Sequence, residues 1–121
     1  METKTPVKPL TIDATGKSLG RVASAAAKHL MGKTLSTYVT NAQSGTKVVI
    51  TNASKLHITE KKRVTKIYEH YSQYPGGLKR EKLSSLSARK GFSEVLKVAV
   101  QGMIPRNTLR VGRMKNLTIT E

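Results

Sequence analysis

The segment Thr15-Gly16-Lys17-Ser18 has the residue types of a phosphate-binding turn, and it lies between a short apolar segment and a helical pattern. A nucleotide-hydrolysing phosphate loop also requires a glycine five residues before its Gly-Lys pair. Thr11 occupies that position, so the pattern argues against nucleotide hydrolysis. A helix amino terminus flanked by Lys17 and Arg21 can instead attract a backbone phosphate without any catalysis.

Other residue types that support catalysis or metal binding form no recognisable pattern. The three histidines are separated by 28 and 13 residues, whereas zinc ligands are usually paired at short spacing. Acid–base catalysis needs converging carboxylates, but the acidic residues are scattered, at Asp13, Glu60, Glu69, Glu81 and Glu94. Cysteine is absent, which excludes disulfides and cysteine nucleophiles. The sequence therefore predicts no catalytic residue, metal, cofactor or small-molecule substrate.

The charge of the chain indicates a polyanionic partner. Its 121 residues include 22 Lys+Arg and 7 Asp+Glu, which gives a formal net charge of +15. Because these positive charges repel one another, we expect an acidic polymer to screen them, with nucleic acid ahead of an anionic membrane. A basic soluble protein without such a partner is the alternative. No apolar run is long enough for a membrane helix or a secretory signal, which predicts a cytoplasmic protein.

The composition favours one folded domain. Leu, Ile, Val and Phe make up 28 of the 121 residues, above the ~20% below which a highly charged chain usually stays disordered. We expect a flexible arm over residues 1–9 and a single domain over residues 10–121. The basic excess follows the second half of the chain, where it alternates with apolar residues and therefore predicts a basic folded surface.

Three tyrosines in the middle of the chain lie beside basic residues, which is typical of a surface that stacks unpaired bases and binds phosphates. The residues concerned are Tyr68, Tyr71 and Tyr74 with Lys66, Lys79 and Arg80. The alternative interpretation is that the tyrosines belong to the core.

A loop over residues 71–79 contains Pro75, Gly76 and Gly77. We expect this loop to be mobile alone, to order against RNA, and to use its glycines for close backbone approach. Lys61-Lys62-Arg63 is interpreted as a tight basic turn that is either solvated or in contact with phosphates.

The apolar periodicity predicts strands alternating with helices. Strands are expected at residues 10–12, 47–51, 57–59 and 64–71, and a polar surface loop at residues 34–46. A helix is predicted from Leu19 to Leu30, capped by Ser18 and Gly32. Two more are predicted at residues 82–89 and from a Ser93 cap to before Pro105, the latter with the buried stripe Val95, Val98, Ala99, Gly102 and Met103. This order predicts an α/β protein with helices on both faces of a small sheet.

Four segments together resemble the ribosomal protein L13 family of the large subunit, in its bacterial type. They are residues 12–21 (IDATGKSLGR), residues 49–53 (VITNA), residues 66–68 with 76–79 (KIY and GGLK), and residues 100–105 (VQGMIP). The order and spacing also agree, from about Leu10 to Leu117. The resemblance implies a single three-layer α/β/α domain around a small, mostly parallel sheet, with basic loops and no enzymatic activity.

The resemblance also implies a structural constituent of the ribosome that acts in translation and supports early subunit assembly. Its partners would be large-subunit rRNA and neighbouring large-subunit proteins, and it would be a monomer within the cytoplasmic ribosome. A free-standing basic nucleic-acid-binding protein is the alternative, and a nucleotide-dependent enzyme using Lys17 is a third hypothesis.

Carried over by position, the family's RNA-binding elements fall on three groups of residues in this chain. The basic loop falls on Lys61, Lys62, Arg63 and Lys66, and the glycine loop on His70, Gly76, Gly77 and Lys79. The last basic segment falls on Arg106, Arg110, Arg113 and Lys115. The complete predicted RNA-binding set adds Lys17, Arg21, Tyr71, Arg80, Arg89 and Lys90.

Overall fold

The computed structural model of the chain describes residues 9–36, 38–41 and 45–121. Apart from Pro9, the predicted arm lies outside these residues. Five helices and five strands are described. The strands are β1 (Leu10–Asp13), β2 (Val48–Thr51), β3 (Ile67–Tyr71), β4 (Leu78–Lys82) and β5 (Leu117–Ile119). The helices are α1 (Leu19–Met31), α2 (Glu60–Thr65), α3 (Leu83–Lys90), α4 (Phe92–Met103) and α5 (Leu109–Lys115), with a 3₁₀ turn at Ala53–Lys55.

Strand β2 forms the centre of a three-stranded parallel sheet in the order β1-β2-β5. Its β-branched residues Val48 and Ile50 are fully buried, as expected for a strand with neighbours on both sides. The register aligns Ile12 with Ile50 and Ile50 with Ile119. Since paired residues point to the same side of a sheet, these side chains form one apolar face.

Helix α1 confirms the predicted apolar stripe. Its buried residues are Leu19, Val22, Ala23, Ala26, Ala27 and Leu30, spaced as one face of a helix. The helix ends at Gly32, which has φ +81° and whose amide donates to the His29 carbonyl at 3.1 Å. The alanines on this stripe leave room for α4, which packs directly against α1. Helix α4 contributes Val95, Leu96 and Val100 to the same core.

The α/β class, the single domain and the small, mostly parallel sheet are confirmed. The helices gather on one side of this sheet: α1 contacts β2 and α4 contacts β5, while Thr11 and Thr118 on the other face are exposed. Both crossovers, from β1 to β2 and from β2 to β5, move across the sheet in the same direction. Right-handed crossovers then place both connections on the same face, so in the described residues α1 and α4 cover that face of the sheet.

The middle of the chain differs most from the sequence-based expectation. Residues 60–63 belong to helix α2, because the Thr59 side chain caps it by accepting from the Lys62 amide at 3.3 Å. Thr59 at the cap position, followed by the acidic residue Glu60 in the first turn, is a helix-start signal. At residues 57–59 only His57 makes a strand-like pairing, an isolated bridge to Ser18. The predicted loop over residues 71–79 is the turn of a hairpin that pairs β3 with β4.

Three details of the last third of the chain also differ from the sequence-based expectation. Helix α4 begins with Gly91 at the cap position, and Ser93 instead donates its amide to the Glu121 carboxylate at 3.2 Å. Val98 and Met103 of the predicted stripe are exposed, and Leu96 and Val100 are buried in their place. Helix α5 and its residue Arg113 were not anticipated as core elements.

Arg113 is 2% exposed, and its Nε atom lacks a hydrogen-bond partner. A buried guanidinium nitrogen without an acceptor destabilises the folded state, because burial removes its hydration. We expect Arg113→Met, which keeps an unbranched apolar side chain and removes the guanidinium, to raise the free energy of unfolding by about 1–3 kcal/mol. Urea denaturation measures this change. Arg110→Met on the half-buried side of α5 is the matched control and should change stability by less than about 0.5 kcal/mol. A lower unfolding free energy for the Arg113 variant than for the wild type would contradict the prediction.

Candidate nucleic-acid interface

The turn after β1 is held by Asp13. Its Oδ1 atom accepts hydrogen bonds from the Thr15 amide at 3.0 Å, the Thr15 hydroxyl at 2.8 Å and the Asn52 side-chain amide at 3.0 Å. The hydrogen bond from Asn52, followed by those from Thr15, lowers the pKa of Asp13 to about 2. The carboxylate therefore ties together the carboxyl ends of β1 and β2, and it fixes the path of the chain toward α1.

Lys17 follows this turn and is exposed. The Gly16 amide donates to the Lys55 carbonyl and the His57 amide to the Lys17 carbonyl, both at 3.0 Å. These backbone contacts bring Lys55 and His57 beside Lys17, and all three side chains are exposed. We call Lys17, Lys55 and His57 the turn cluster. Sequence reasoning missed Lys55 and His57 because they join Lys17 only through pairing between distant segments.

Helix α1 begins next to the turn cluster. The Ser18 side chain makes no capping hydrogen bond, so the first-turn amides of α1 have no side-chain acceptor at this position. Arg21 is exposed on the first turn. Together with Lys17 it satisfies the predicted arrangement of two cations at a helix amino terminus, where an anion is favoured.

The β3–β4 hairpin places its side chains on two different faces. The register pairs Tyr68 with Glu81 and His70 with Lys79, so these four residues share one face. Tyr71 lies on the opposite face, and Tyr74 lies in the turn and is 73% exposed. The three tyrosines therefore do not form one stacking surface. Tyr68 is half-buried, and burial raises its pKa, which agrees with the alternative that this one tyrosine packs against the core.

Gly76 and Gly77 have structural roles in the hairpin turn. Gly76 has φ +76°, a conformation that disfavours other residues. A Cβ atom on Gly77 would collide with the Ser72 hydroxyl and would lie 2.9 Å from the Tyr74 carbonyl oxygen. The Gly77 amide donates to that carbonyl at 2.9 Å. Replacement of both glycines therefore disturbs folding of the turn directly, and it does not isolate RNA contact as the sequence had suggested.

Two of the predicted cations are already paired with carboxylates. Arg80 Nε lies 3.2 Å from Glu69 Oε1, and both side chains are largely exposed. Arg89 donates to both Glu81 oxygens, at 2.9 and 2.7 Å. Hydrogen bonding by Arg89 lowers the pKa of Glu81. Exposed pairs of this kind contribute little to stability, but they hold the two guanidinium groups in fixed orientations.

The remaining predicted cations occupy two further regions. On α2, Lys61 is exposed while Lys62 and Arg63 are half-buried, and consecutive positions on a helix fan out around it. Lys66 follows α2, with Nζ 5.7 Å from the centre of the Tyr68 ring. Helix α2 contacts both α3 and β4, so these cations are adjacent to those of the hairpin and to Arg89 and Lys90.

The last basic segment is only partly accessible. Arg106 and Lys115 are exposed, and Arg110 is half-buried. Arg110 and Lys115 line a groove between α4 and α5 together with Lys97, a cation that sequence reasoning missed. Arg113 is buried, so in this conformation its guanidinium does not reach a phosphate at the surface.

Comparison with known proteins shows the family to which the chain belongs. Residues 7–121 match the family described as Ribosomal protein L13. The chain belongs to the ribosomal protein L13 family. Similar proteins named large ribosomal subunit protein uL13 occur in Dehalococcoides mccartyi, Lactobacillus delbrueckii subsp. bulgaricus and Oenococcus oeni. The D. mccartyi relative is 46% identical over 110 residues, which are 91% of this chain and 76% of the relative.

The other two L13 relatives give a similar result. The L. delbrueckii protein is 45% identical over 98 residues, 81% of this chain and 66% of that protein. The O. oeni protein is 41% identical over 108 residues, 89% of this chain and 71% of that protein. The family resemblance inferred from the sequence motifs is thereby confirmed. The individual RNA contacts stay predictions.

Over the described residues, none of the helices has the length and apolar character needed to cross a bilayer. Among the same residues, no group of three or more His, Asp or Glu side chains is arranged to hold a metal ion.

The Asp13 hydrogen bonds predict a specific acid dependence of stability. The pKa of about 2 in the folded state is below the ordinary value of 3.8, so the unfolded state binds this proton more readily. The stabilisation is fully present above the ordinary pKa and is lost as the pH falls from about 4 to about 2. We expect the stability difference between wild type and Asp13→Asn to shrink over that range.

Urea midpoints for both proteins between about pH 7 and about pH 2 measure this difference. Asn52→Ala removes the hydrogen bond that lowers the pKa of Asp13 most, and it should weaken the same pH dependence. A difference between wild type and Asp13→Asn that stays constant, or grows, on acidification would show that the carboxylate is not the titrating group.

Proposed function

We propose that this protein is a structural component of the large ribosomal subunit that binds large-subunit rRNA and supports early assembly of the subunit, without enzymatic activity. The observation that carries the proposal is the family match over residues 7–121. The relatives are named as large ribosomal subunit proteins. The net charge of +15 independently requires an acidic polymer as a partner.

The arrangement of cations supports contact with RNA along one side of the domain. Helix α2, the β3–β4 hairpin and α3 contact one another, and they carry most of the predicted RNA-binding side chains. The turn cluster and the groove between α4 and α5 add two further basic sites. Cations distributed over separate rigid elements favour recognition of RNA shape through its phosphates, with little reading of sequence.

The turn before α1 argues against a nucleotide-dependent enzyme. Only five residues, from Ala14 to Ser18, separate β1 from α1. Thr11, where a phosphate loop has its first glycine, is paired with Val49 inside the sheet. No wrapping loop is therefore available around a nucleotide at Lys17, and a backbone phosphate of RNA is the better ligand for this helix terminus.

The proposal extends to partners and location. In the assembled subunit the chain acts as a monomer, with rRNA and neighbouring large-subunit proteins around it, in the cytoplasm. The uneven exposure of its cations, with Arg113 buried and Arg106 accessible, supports contacts between RNA phosphates and the exposed subset.

Binding to an rRNA fragment should depend strongly on salt. If about 6 to 8 phosphates are neutralised, the logarithm of the affinity should fall with the logarithm of the salt concentration at a slope of roughly −4 to −7. Lys17→Ala should leave the fold intact and reduce the magnitude of the slope by about 1. Filter binding over a salt series measures both slopes. An affinity that barely changes with salt would contradict a phosphate-driven mechanism.

Association with the ribosome separates the proposal from a free-standing nucleic-acid-binding protein. We expect the tagged chain, expressed in bacterial cells, to sediment with large subunits through a gradient after a high-salt wash. A free-standing protein that binds only to RNA exposed on the surface of the subunit should be released by the same wash. Recovery of the chain entirely in the unbound fraction would overturn the ribosomal assignment.

A further inference from the structure

A groove of about 450 Å³ lies between the β3–β4 hairpin and helices α3 and α4. Its size is within the range of roughly 300–1,000 Å³ that is typical of sites for small ligands. Tyr68 forms part of its wall, and Leu86 of α3 and Val98 of α4 supply apolar surface. The groove therefore offers a partly apolar site beside a surface that is otherwise strongly basic.

Two planar groups line the groove. One is the ring of Tyr68, which lies on the hairpin face shared with Glu81. The other is the guanidinium of Arg89, which two hydrogen bonds to Glu81 hold in place. Aromatic rings and arginine guanidinium planes are the surfaces on which unpaired RNA bases stack. Since Arg89 is fixed by Glu81 before any ligand arrives, stacking on it orders few additional bonds.

The acidic residues of the groove are unusual for this protein. Only seven acidic residues occur in the whole chain, and two of them, Glu81 and Glu94, line this groove, while Glu69 borders it from β3 with its carboxylate paired to Arg80 on the opposite hairpin face. Carboxylates repel phosphate oxygens, so the interior of the groove does not suit an RNA backbone. Carboxylates accept hydrogen bonds and do not donate them when ionised, so the interior suits a group that presents N–H donors.

Glu94 is the carboxylate with capacity for a ligand. Glu81 is occupied by Arg89 and Glu69 by Arg80, whereas Glu94 accepts no hydrogen bond from any residue in the described part of the chain. Glu94 is close enough to Arg89 to contribute to raising the pKa of that guanidinium, after the larger effect of Glu81. The free carboxylate and the fixed planar group are therefore neighbours in one groove.

We infer that this groove binds one unpaired, extruded nucleobase of RNA, with guanine favoured. The inference rests on the proposed function, since it names the part of an RNA that one site would take. Guanine presents two adjacent N–H donors, at N1 and N2, which match the two oxygens of Glu94. Uracil presents a single N–H between two carbonyl oxygens, and the carboxylate repels those oxygens. Lys79 and Lys90 line the same groove and are exposed, so they can hold the flanking phosphates.

Short oligoribonucleotides test the base preference with the full chain. We expect a uridine heptamer with one central guanosine to bind about tenfold tighter than the all-uridine heptamer, within the range for one stacked and hydrogen-bonded base. The amide signals of Leu86, Glu94 and Val98 should shift with the guanosine heptamer in NMR titrations. A preference below twofold, or shifts confined to other parts of the protein, would overturn the inference.

Glu94→Gln tests the role assigned to the carboxylate. The variant should reduce the preference for guanosine to less than about twofold, because it weakens binding of the guanosine heptamer and removes the repulsion that disfavours the all-uridine heptamer. Glu60→Gln makes the same change of charge on α2, outside the groove, and should keep the full preference. If Glu60→Gln lowered the preference as much as Glu94→Gln, the effect would be general electrostatics and the inference would fail.

Cross-linking in assembled subunits separates RNA from a protein occupant. A photoreactive benzoylphenylalanine in place of Val98 should cross-link to rRNA at an unpaired guanosine. Cross-linking to a neighbouring protein instead would overturn the inference. Co-sedimentation with large subunits, measured for the wild type and for Glu94→Gln, keeps the two proposals distinct. If the wild type sediments with large subunits but shows no base preference, only the groove assignment is refuted. If the wild type does not sediment with large subunits, the ribosomal role is refuted.

Discussion

The pairing of β2 with both β1 and β5 is the interaction on which the rest of the structure depends. Val48 and Ile50 are fully buried between the two neighbouring strands and the helices. The pairing with β1 brings Asn52 within hydrogen-bond distance of Asp13, which sets the turn that presents Lys17. The pairing with β5 positions α5 and its basic residues. One central strand thus fixes two of the basic sites, although it carries no charged residue itself.

The few carboxylates of the chain are used to orient its many cations. Asp13 accepts hydrogen bonds that stabilise the turn before Lys17. Glu81 accepts two hydrogen bonds from the Arg89 guanidinium, and Glu69 forms an ion pair with Arg80. The Glu81–Arg89 and Glu69–Arg80 ion pairs are accessible to solvent, so they contribute little to stability. Their effect is to reduce the conformational freedom of cationic side chains before RNA binds, which lowers the entropic cost of ordering them in the complex.

The sequence was sufficient to predict a helix or strand where its local residue pattern agrees with the packing in the folded protein. Helix α1 was predicted closely because its small apolar residues repeat at helical spacing and Gly32 ends it in the conformation that glycine favours. Strand β4 was missed because Leu78–Lys82 is mostly charged and none of its residues is fully buried. The segment therefore shows no apolar alternation, and only its pairing with β3 makes it a strand. Helix α2 was missed because six residues with three consecutive cations show no apolar stripe. The burial of Arg113 and the approach of Lys55 and His57 to Lys17 depend on contacts between distant segments, which periodicity does not contain.

The central claim is that α2 and the hairpin face rRNA in the large subunit, and directed hydroxyl-radical cleavage tests it most directly. The chain contains no cysteine, so a single introduced cysteine carries the iron chelate at one known site. Lys61→Cys on α2 should produce strong cleavage of large-subunit rRNA in assembled subunits, stronger than Thr118→Cys on the exposed face of the parallel sheet. Strong cleavage from Thr118→Cys with none from Lys61→Cys would contradict the account.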